Sequence, residues 1–259
     1  ILVGAAKARR GRLLAGQSRA FLGFSACPAG LAWRMIRIFI GYDPREAVAY
    51  HVCANSIVRH ARQPVAITPL ALHTLPDYRE THGDGSNQFI YSRFLLPHLT
   101  DYSGWAIFMD GDMVLRTDIS ELWTLRDESK AVMCVQHDYK TKAQGKYLGS
   151  KNQDYPRKNW SSVVLWNCGH PANRVVTPAF VENGTGAQLH RFTWLSDDLI
   201  GALPREWNWL PQEFGANPEA KLLHWTLGTP CFHEYADDPM AAEWHRERLL
   251  ADYSQQRHG

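Results

Sequence analysis

Two carboxylates one residue apart, Asp110 and Asp112, flank Gly111 at the end of an apolar run, Trp105-Ala106-Ile107-Phe108-Met109. The run reads as a buried strand from Ala106 to Met109, because consecutive apolar residues suit a strand covered on both faces. Open α/β sheets bind ligands beyond the carboxyl ends of such strands. Asp-x-Asp at that point aims two hard oxygen ligands at one spot, and Gly111 lets the backbone come close. Neighbouring carboxylates repel, so both ionise more readily with a cation between them. Oxygen ligands favour Mg²⁺ or Mn²⁺, and such ions usually carry substrate phosphates. Asp after a strand also commonly caps a turn. On these residues alone, metal site and simple turn both stand.

The elements around this pair can be read from periodicity. Met35 to Ile40 reads as a first strand ending in Gly41-Tyr42-Asp43-Pro44. Asp43 suits an N-cap, Pro44 the first helical position, and Glu46 a capping box, with Ala47, Tyr50, Ala54, Ile57 and Val58 at helical spacing as far as about His60. Val65 to Leu70 is a second strand, and residues 71–90, broken by Pro76, Gly83 and Gly85, form a loop. A helix over Gln88–Leu99 places Arg93 near the sheet's edge. Lys130–Gln136, Ser162–Trp166, Leu203–Trp209 and Lys221–Thr226 are further strands, while Pro178–Val181 ends a helix. Residues 137–160 are basic, aromatic and irregular, and suit a substrate-binding loop. Helix and strand alternate early and strands dominate late. That predicts an α/β fold with a mixed, mostly parallel sheet and helices on both faces.

The chain has 259 residues, 45% of them hydrophobic, enough to bury a substantial core. Residues 1–34 carry Lys7, Arg9, Arg10, Arg12, Arg19 and Arg34 and no acid. Without them 22 Lys and Arg face 26 Asp and Glu, a net of −4, so the body offers no nucleic-acid surface. The basic segment reads as an extension outside the fold, with residues 35–259 as one domain and Met35 as the expected native start. A secretory signal is the weaker reading, because Gly, Ser and Pro interrupt its apolar part. No run reaches the roughly 18 apolar residues of a membrane span. Cys27, Cys53, Cys134, Cys168 and Cys231 are odd in number and lack C-x-x-C spacing, which fits reduced thiols in a cytoplasm.

Five segments in order resemble glycosyltransferase family 8, the glycogenin-like and bacterial lipopolysaccharide hexosyltransferase group with the GT-A fold. Ile40-Gly41-Tyr42-Asp43 looks like its nucleotide-binding opening, and Phe89-Ile90-Tyr91-Ser92-Arg93 like the Arg segment before the Asp-x-Asp strand. Phe108-Met109-Asp110-Gly111-Asp112 is similar to its metal motif, and Asp118-Ile119-Ser120-Glu121-Leu122 to the segment after that motif. Leu223-His224-Trp225-Thr226-Leu227-Gly228 is similar to its late His segment. The resemblance implies a retaining, metal-dependent transfer of a hexose from a UDP-sugar to a glycan or lipid-linked acceptor, which would bring peripheral contact with a membrane. It implies Mn²⁺ or Mg²⁺ on Asp110, Asp112 and His224. Gly41, Tyr42, Asp43, Arg93, Gly111 and Gly228 would meet the nucleotide, Tyr42 by stacking on uracil. Same-face displacement lets the leaving diphosphate take the acceptor's proton, so no dedicated base is implied.

The chain departs from that pattern. The late segment lacks the family's Lys before Pro230, which leaves the diphosphate to Arg93, the metal, or a Lys or Arg within 140–158. Asp197 and Asp198 substitute for the family's Asp-Gln segment beside the donor sugar, as catalytic candidates together with Arg93. Asp110-Gly111-Asp112 also satisfies the opening pattern of haloacid dehalogenase phosphohydrolases, although a full strand-helix-strand-helix section precedes it here. A non-catalytic sugar-nucleotide-binding module is the third reading.

Overall fold

The computed structural model describes residues 35–142, 145–149 and 154–252. The expected extension over residues 1–34, with Cys27, lies outside the described residues. From Met35 the chain enters β1 (Ile36–Tyr42), turns through a 3₁₀ segment at Pro44–Glu46, and runs along α1 (Ala47–His60) into β2 (Val65–Ala71). Asp43 caps that turn by accepting from the Arg45 N–H, and Pro44 takes the first position. Next come α2 (Leu96–Leu99), β3 (Trp105–Met109), β4 (Met113–Leu115), α3 (Ile119–Trp123), β5 (Val132–Cys134) and β6 (Val163–Asn167). The chain ends with α4 (Pro178–Asn183), α5 (Gly186–His190), β7 (Ile200–Ala202), α6 (Pro211–Phe214), β8 (Leu222–His224) and α7 (Ala241–Asp252).

The main sheet has the order β2-β1-β3-β6-β5-β7. All its strands run one way except β6, which is antiparallel to both β3 and β5. Alternate residues of β1 and β3 serve opposite faces. Phe39, Ala106 and Phe108 join a core with Val181 and Leu189 from α4 and α5. Ile36, Ile38, Ile40, Ile107 and Met109 join a second core with Cys53 and Ile57 from α1 and Ile119 and Leu122 from α3. Burial on both faces explains why β3 is apolar at every position.

A separate two-stranded ribbon, β4 with β8, does most to shape the site. Its register sets Met113 opposite His224. The Trp225 N–H donates to the Asp112 carbonyl at 3.1 Å, which extends the pairing past the strand ends. The chain thus leaves β3, passes Asp110, Gly111 and Asp112, and at once pairs with the strand that carries His224. Ser56 of α1 holds the ribbon from below, its hydroxyl accepting from the Leu115 N–H at 3.0 Å.

Three expected elements differ. The helix over 88–99 is a 3₁₀ turn at Ser92–Leu95 followed by the single turn α2. Pro97 has no N–H to give to the Arg93 carbonyl, so an α-helix cannot run through it unbroken. The strand expected at 203–209 is β7 ending at Ala202, then a 3₁₀ turn at Arg205–Asn208. Pro204 removes the ladder donor and fixes φ at −55°, which redirects the chain. Pro178 begins a helix instead of ending one, because Thr177 caps it from the residue before.

Candidate active site

Asp110 leaves β3 with its N–H bonded to the Ser162 carbonyl at 3.0 Å. Its Oδ1 lies 2.7 Å from Arg93 Nη1 and its Oδ2 lies 3.7 Å from His224 Nε2. Asp112 Oδ1 lies 3.2 Å from the same Nε2. One ligand atom from each of Asp110, Asp112 and His224 falls within 4.8 Å of the others. The structure therefore brings together the three residues expected to hold a metal.

The donors suit such an ion. Oδ1 of Asp110 and Oδ1 of Asp112 are both buried, and neither accepts a well-aligned hydrogen bond. Burial pushes the Asp110 carboxyl up, and the charge of Asp112 adds to that shift. Burial acts the same way on Asp112, but His224, Lys146 and a backbone N–H together hold that carboxyl down. A cation would relieve both acids at once. His224 is aimed from behind: its Nδ1 lies 2.8 Å from Asn208 Oδ1. Nδ1–H must donate there, which aims Nε2 at the carboxylates. Asn208 is itself fixed by donating to Ser162 Oγ at 2.8 Å. Two carboxylate oxygens and one imidazole nitrogen make a donor set that could hold a divalent cation. Asn208→Ala should thus weaken metal binding about 10- to 100-fold with all three ligands intact. Mn²⁺ titration followed by EPR checks this, and unchanged affinity would remove Asn208 from the site.

Arg93 is buried and fully engaged. It ion-pairs Asp110, donates from Nε to the Ile90 carbonyl at 3.0 Å and from Nη1 to the Ser161 carbonyl at 3.2 Å. The rings of Phe89 and Phe108 lie 5.4 and 5.1 Å from its guanidinium carbon. It lines the cleft beside Asp110, with which it pairs.

The remaining expected residues divide. Gly41 and Gly111 pack against each other beside the cleft, with the Gly41 carbonyl where a Gly111 side chain would begin. Tyr42 is half-buried and edge-on to Tyr50, with centroids 5.5 Å apart. The Asp43 carboxylate is buried and engaged by Arg45 at 2.6 Å and by the Gln88 N–H at 3.1 Å. Gly228 lies in the turn after β8, its carbonyl accepting from Gln212, and does not line the cleft. Asp197 and Asp198 do not join the site. Asp197 is 85% exposed and pairs with Arg157, and exposed Asp198 lends its carbonyl to Lys130. Both sit in a 3₁₀ turn ahead of β7 that faces solvent instead of the cleft. Lys146, Tyr155, Asn159, His190 and Thr226 line the cleft instead. The first three of these belong to the loop over 137–160 expected to meet substrate, whereas His190 carries no motif. Asn208 carries none either, so the sequence gives no signal for it.

A second cavity adjoins the first, with Asn87 and Ile90 common to both. Its wall is held by His82, whose Nδ1 lies 2.6 Å from Glu80 Oε1 and whose Nε2 lies 2.7 Å from the Gly184 carbonyl. Both partners only accept, so the ring must donate twice and be imidazolium. Burial alone would lower its pKa, but the bonds to Gly184 and Glu80 prevail and raise it. The stability that His82 adds is therefore complete below the unfolded histidine pKa of about 6.5 and lost as pH rises through the higher folded value. Melting curves of the protein and of His82→Gln should differ most at acidic pH and converge at alkaline pH. A gap that stays constant with pH would refute the charged assignment.

The sequence profile of glycosyl transferase family 8 matches residues 77–170, from the His82 wall through β3 and β6. The chain is also 46% identical over 220 residues to Protein CDI of Arabidopsis thaliana, covering 82% of this chain and 85% of that protein. The chain belongs to glycosyl transferase family 8. Solved glycosyltransferases share its fold, which is GT-A. GlyE of Streptococcus pneumoniae TIGR4 superposes with a TM-score of 0.57 at 13% identity, over 83% of this chain and 60% of that one. The galactosyltransferase LgtC, solved with donor and acceptor sugar analogs, superposes with a TM-score of 0.54 at 12% identity, over 85% and 98%. This family 8 chain thus spans 60% of the length of GlyE. Membership of a glycosyltransferase family overturns the phosphohydrolase reading of Asp110-Gly111-Asp112.

Proposed function

We propose that this family 8 glycosyltransferase moves a hexose from a UDP-sugar to a glycan or lipid-linked acceptor with retention at the anomeric carbon. The observation that carries the proposal is the Asp110–Asp112–His224 cluster, two buried carboxylate oxygens and an aimed imidazole nitrogen at the carboxyl end of β3. These residues would hold Mn²⁺ or Mg²⁺, which supplies Lewis-acid stabilisation of the diphosphate's negative charge without proton transfer. Arg93 keeps Asp110 in place, and Asn208 keeps the Nε2 of His224 aimed at the carboxylates. The bond from the anomeric carbon to the diphosphate oxygen breaks as the bond to the acceptor oxygen forms on the same face. The acceptor's proton passes to the departing diphosphate, so no side-chain base is required.

No helix among the described residues is long and apolar enough to cross a membrane. The cytoplasm is the proposed compartment, in keeping with the free thiols of Cys53, Cys134, Cys168 and Cys231. A lipid-linked acceptor would then bring the enzyme to a membrane surface from outside the bilayer.

The test is incubation with UDP-hexoses and Mn²⁺, with NMR of the first-formed sugar. An α-linked donor should release an α-configured sugar slowly in the absence of acceptor. A β-anomer as first product would show inversion. No release from any nucleotide sugar would favour a sugar-nucleotide-binding module without catalysis.

A further inference from the structure

Four charged side chains line the cleft among the described residues: Asp110, Asp112, Arg93 and Lys146. The two cations differ in what already holds them. Arg93 is committed to Asp110 and to two backbone carbonyls, and two phenyl rings flank its guanidinium. Lys146 forms no ion pair among the described residues, yet it stands close enough to both aspartates to feel their charge. Burial holds its pKa below the ordinary lysine value, and Asp112 and Asp110 oppose that shift.

Thr141 and Lys142, earlier in the same loop, are tethered by Glu213 of α6, which is itself buried. Its Oε1 accepts from Thr141 Oγ1 at 2.7 Å, and its Oε2 accepts from the Lys142 N–H at 3.1 Å. The Lys146 side chain shares the cleft with the carboxylate pair and has no carboxylate of its own among the described residues. Two carboxylates against two cations leave the cleft close to neutral. A divalent ion on the carboxylates would add two positive charges, matching the two negative charges of a nucleotide sugar's diphosphate. A compact ammonium with three rotatable donors suits phosphate oxygens as a point charge.

We propose that Lys146, and not Arg93, grips the donor's diphosphate. The inference rests on the proposed function, because it takes the donor to be a nucleoside diphosphate sugar. It assigns a role that the late Leu227-Gly228-Thr229-Pro230 segment cannot fill, since that segment carries no cation.

The experiment titrates UDP, and separately uridine, into the full chain with Mg²⁺, for the natural sequence, Lys146→Met and Lys146→Arg. UDP binding should weaken at least about tenfold in Lys146→Met and recover in part in Lys146→Arg, as expected for a lost charge-assisted hydrogen bond. Uridine binding should hold in both variants. Mn²⁺ binding without nucleotide, followed by EPR, should be unchanged or tighter in Lys146→Met, because a neighbouring positive charge is gone. UDP affinity within about twofold of the natural protein, or an equal loss for uridine, would overturn the assignment. If the natural protein does not bind UDP, the donor reading itself fails and this inference with it.

Discussion

Asp112→Asn should abolish metal-dependent sugar transfer and leave the protein folded. The substitution keeps the shape of the side chain but removes one of two hard anionic ligands, so the ion loses charge and affinity together. Lewis-acid stabilisation by a bound metal is worth several kcal/mol, and each 1.36 kcal/mol is a factor of ten in rate. A fall of roughly 10²–10⁴ in kcat at saturating donor is therefore expected. Stability should change little, by about 1 kcal/mol or less. The variant loses the contact between Asp112 and His224 but also the repulsion between Asp112 and Asp110, and these effects oppose each other. Initial rates across a Mn²⁺ titration, with urea unfolding of the same protein, separate the two outcomes. Near-normal Mn²⁺-dependent turnover would move the metal site elsewhere. A collapse in stability would mean that Asp112 is a structural residue.

The parts of this site that are legible in the sequence are the local ones. β3 can be read because five apolar residues in a row have few other fates, and Asp-x-Asp sits at its end by chain connectivity alone. His224 is found through its resemblance to a family segment, not through its surroundings, since a lone histidine before Trp225 reads equally well as core. What stays hidden depends on pairing across long separations. The ribbon that sets His224 beside Asp112 joins strands of three residues each, too short to show a period. Asn208 lies beneath His224 only because Pro204 breaks the chain into a 3₁₀ turn, where periodicity suggests a strand. Asp197 and Asp198 mislead for the same reason. Where a segment of short turns points is set by the elements packed around it, and two adjacent acids look alike on either side of a sheet. Lys146 is one of several basic residues in its loop, and only its place in the lining of the cleft singles it out.

Gly111→Ala should damage both stability and donor binding, although the side chain it adds is a single methyl group. A Cβ built at Gly111 would lie 2.6 Å from the Gly41 carbonyl oxygen and 3.8 Å from the Tyr50 Cα. The first distance is well inside van der Waals contact, and the atom it meets is backbone, so no rotamer can relieve it. The Gly41 carbonyl belongs to β1, which pairs with β2 along its length and with β3 through Ile40 and Met109. β1 therefore cannot retreat without breaking the sheet. The loop must move instead, and it carries Asp110 on one side of Gly111 and Asp112 on the other. Overpacking of this kind costs about 1–3 kcal/mol. Displacing the two carboxylates should weaken metal binding at the same time. Gly41 is confined in turn by Phe89, whose ring would lie 2.3 Å from a Cβ placed there. The two glycines thus let β1 and the Asp-x-Asp loop approach to a distance that no side chain permits. Urea unfolding and Mn²⁺ binding, both measured on Gly111→Ala, should change together. A loss of stability with normal metal affinity would show that the loop keeps its shape without this contact.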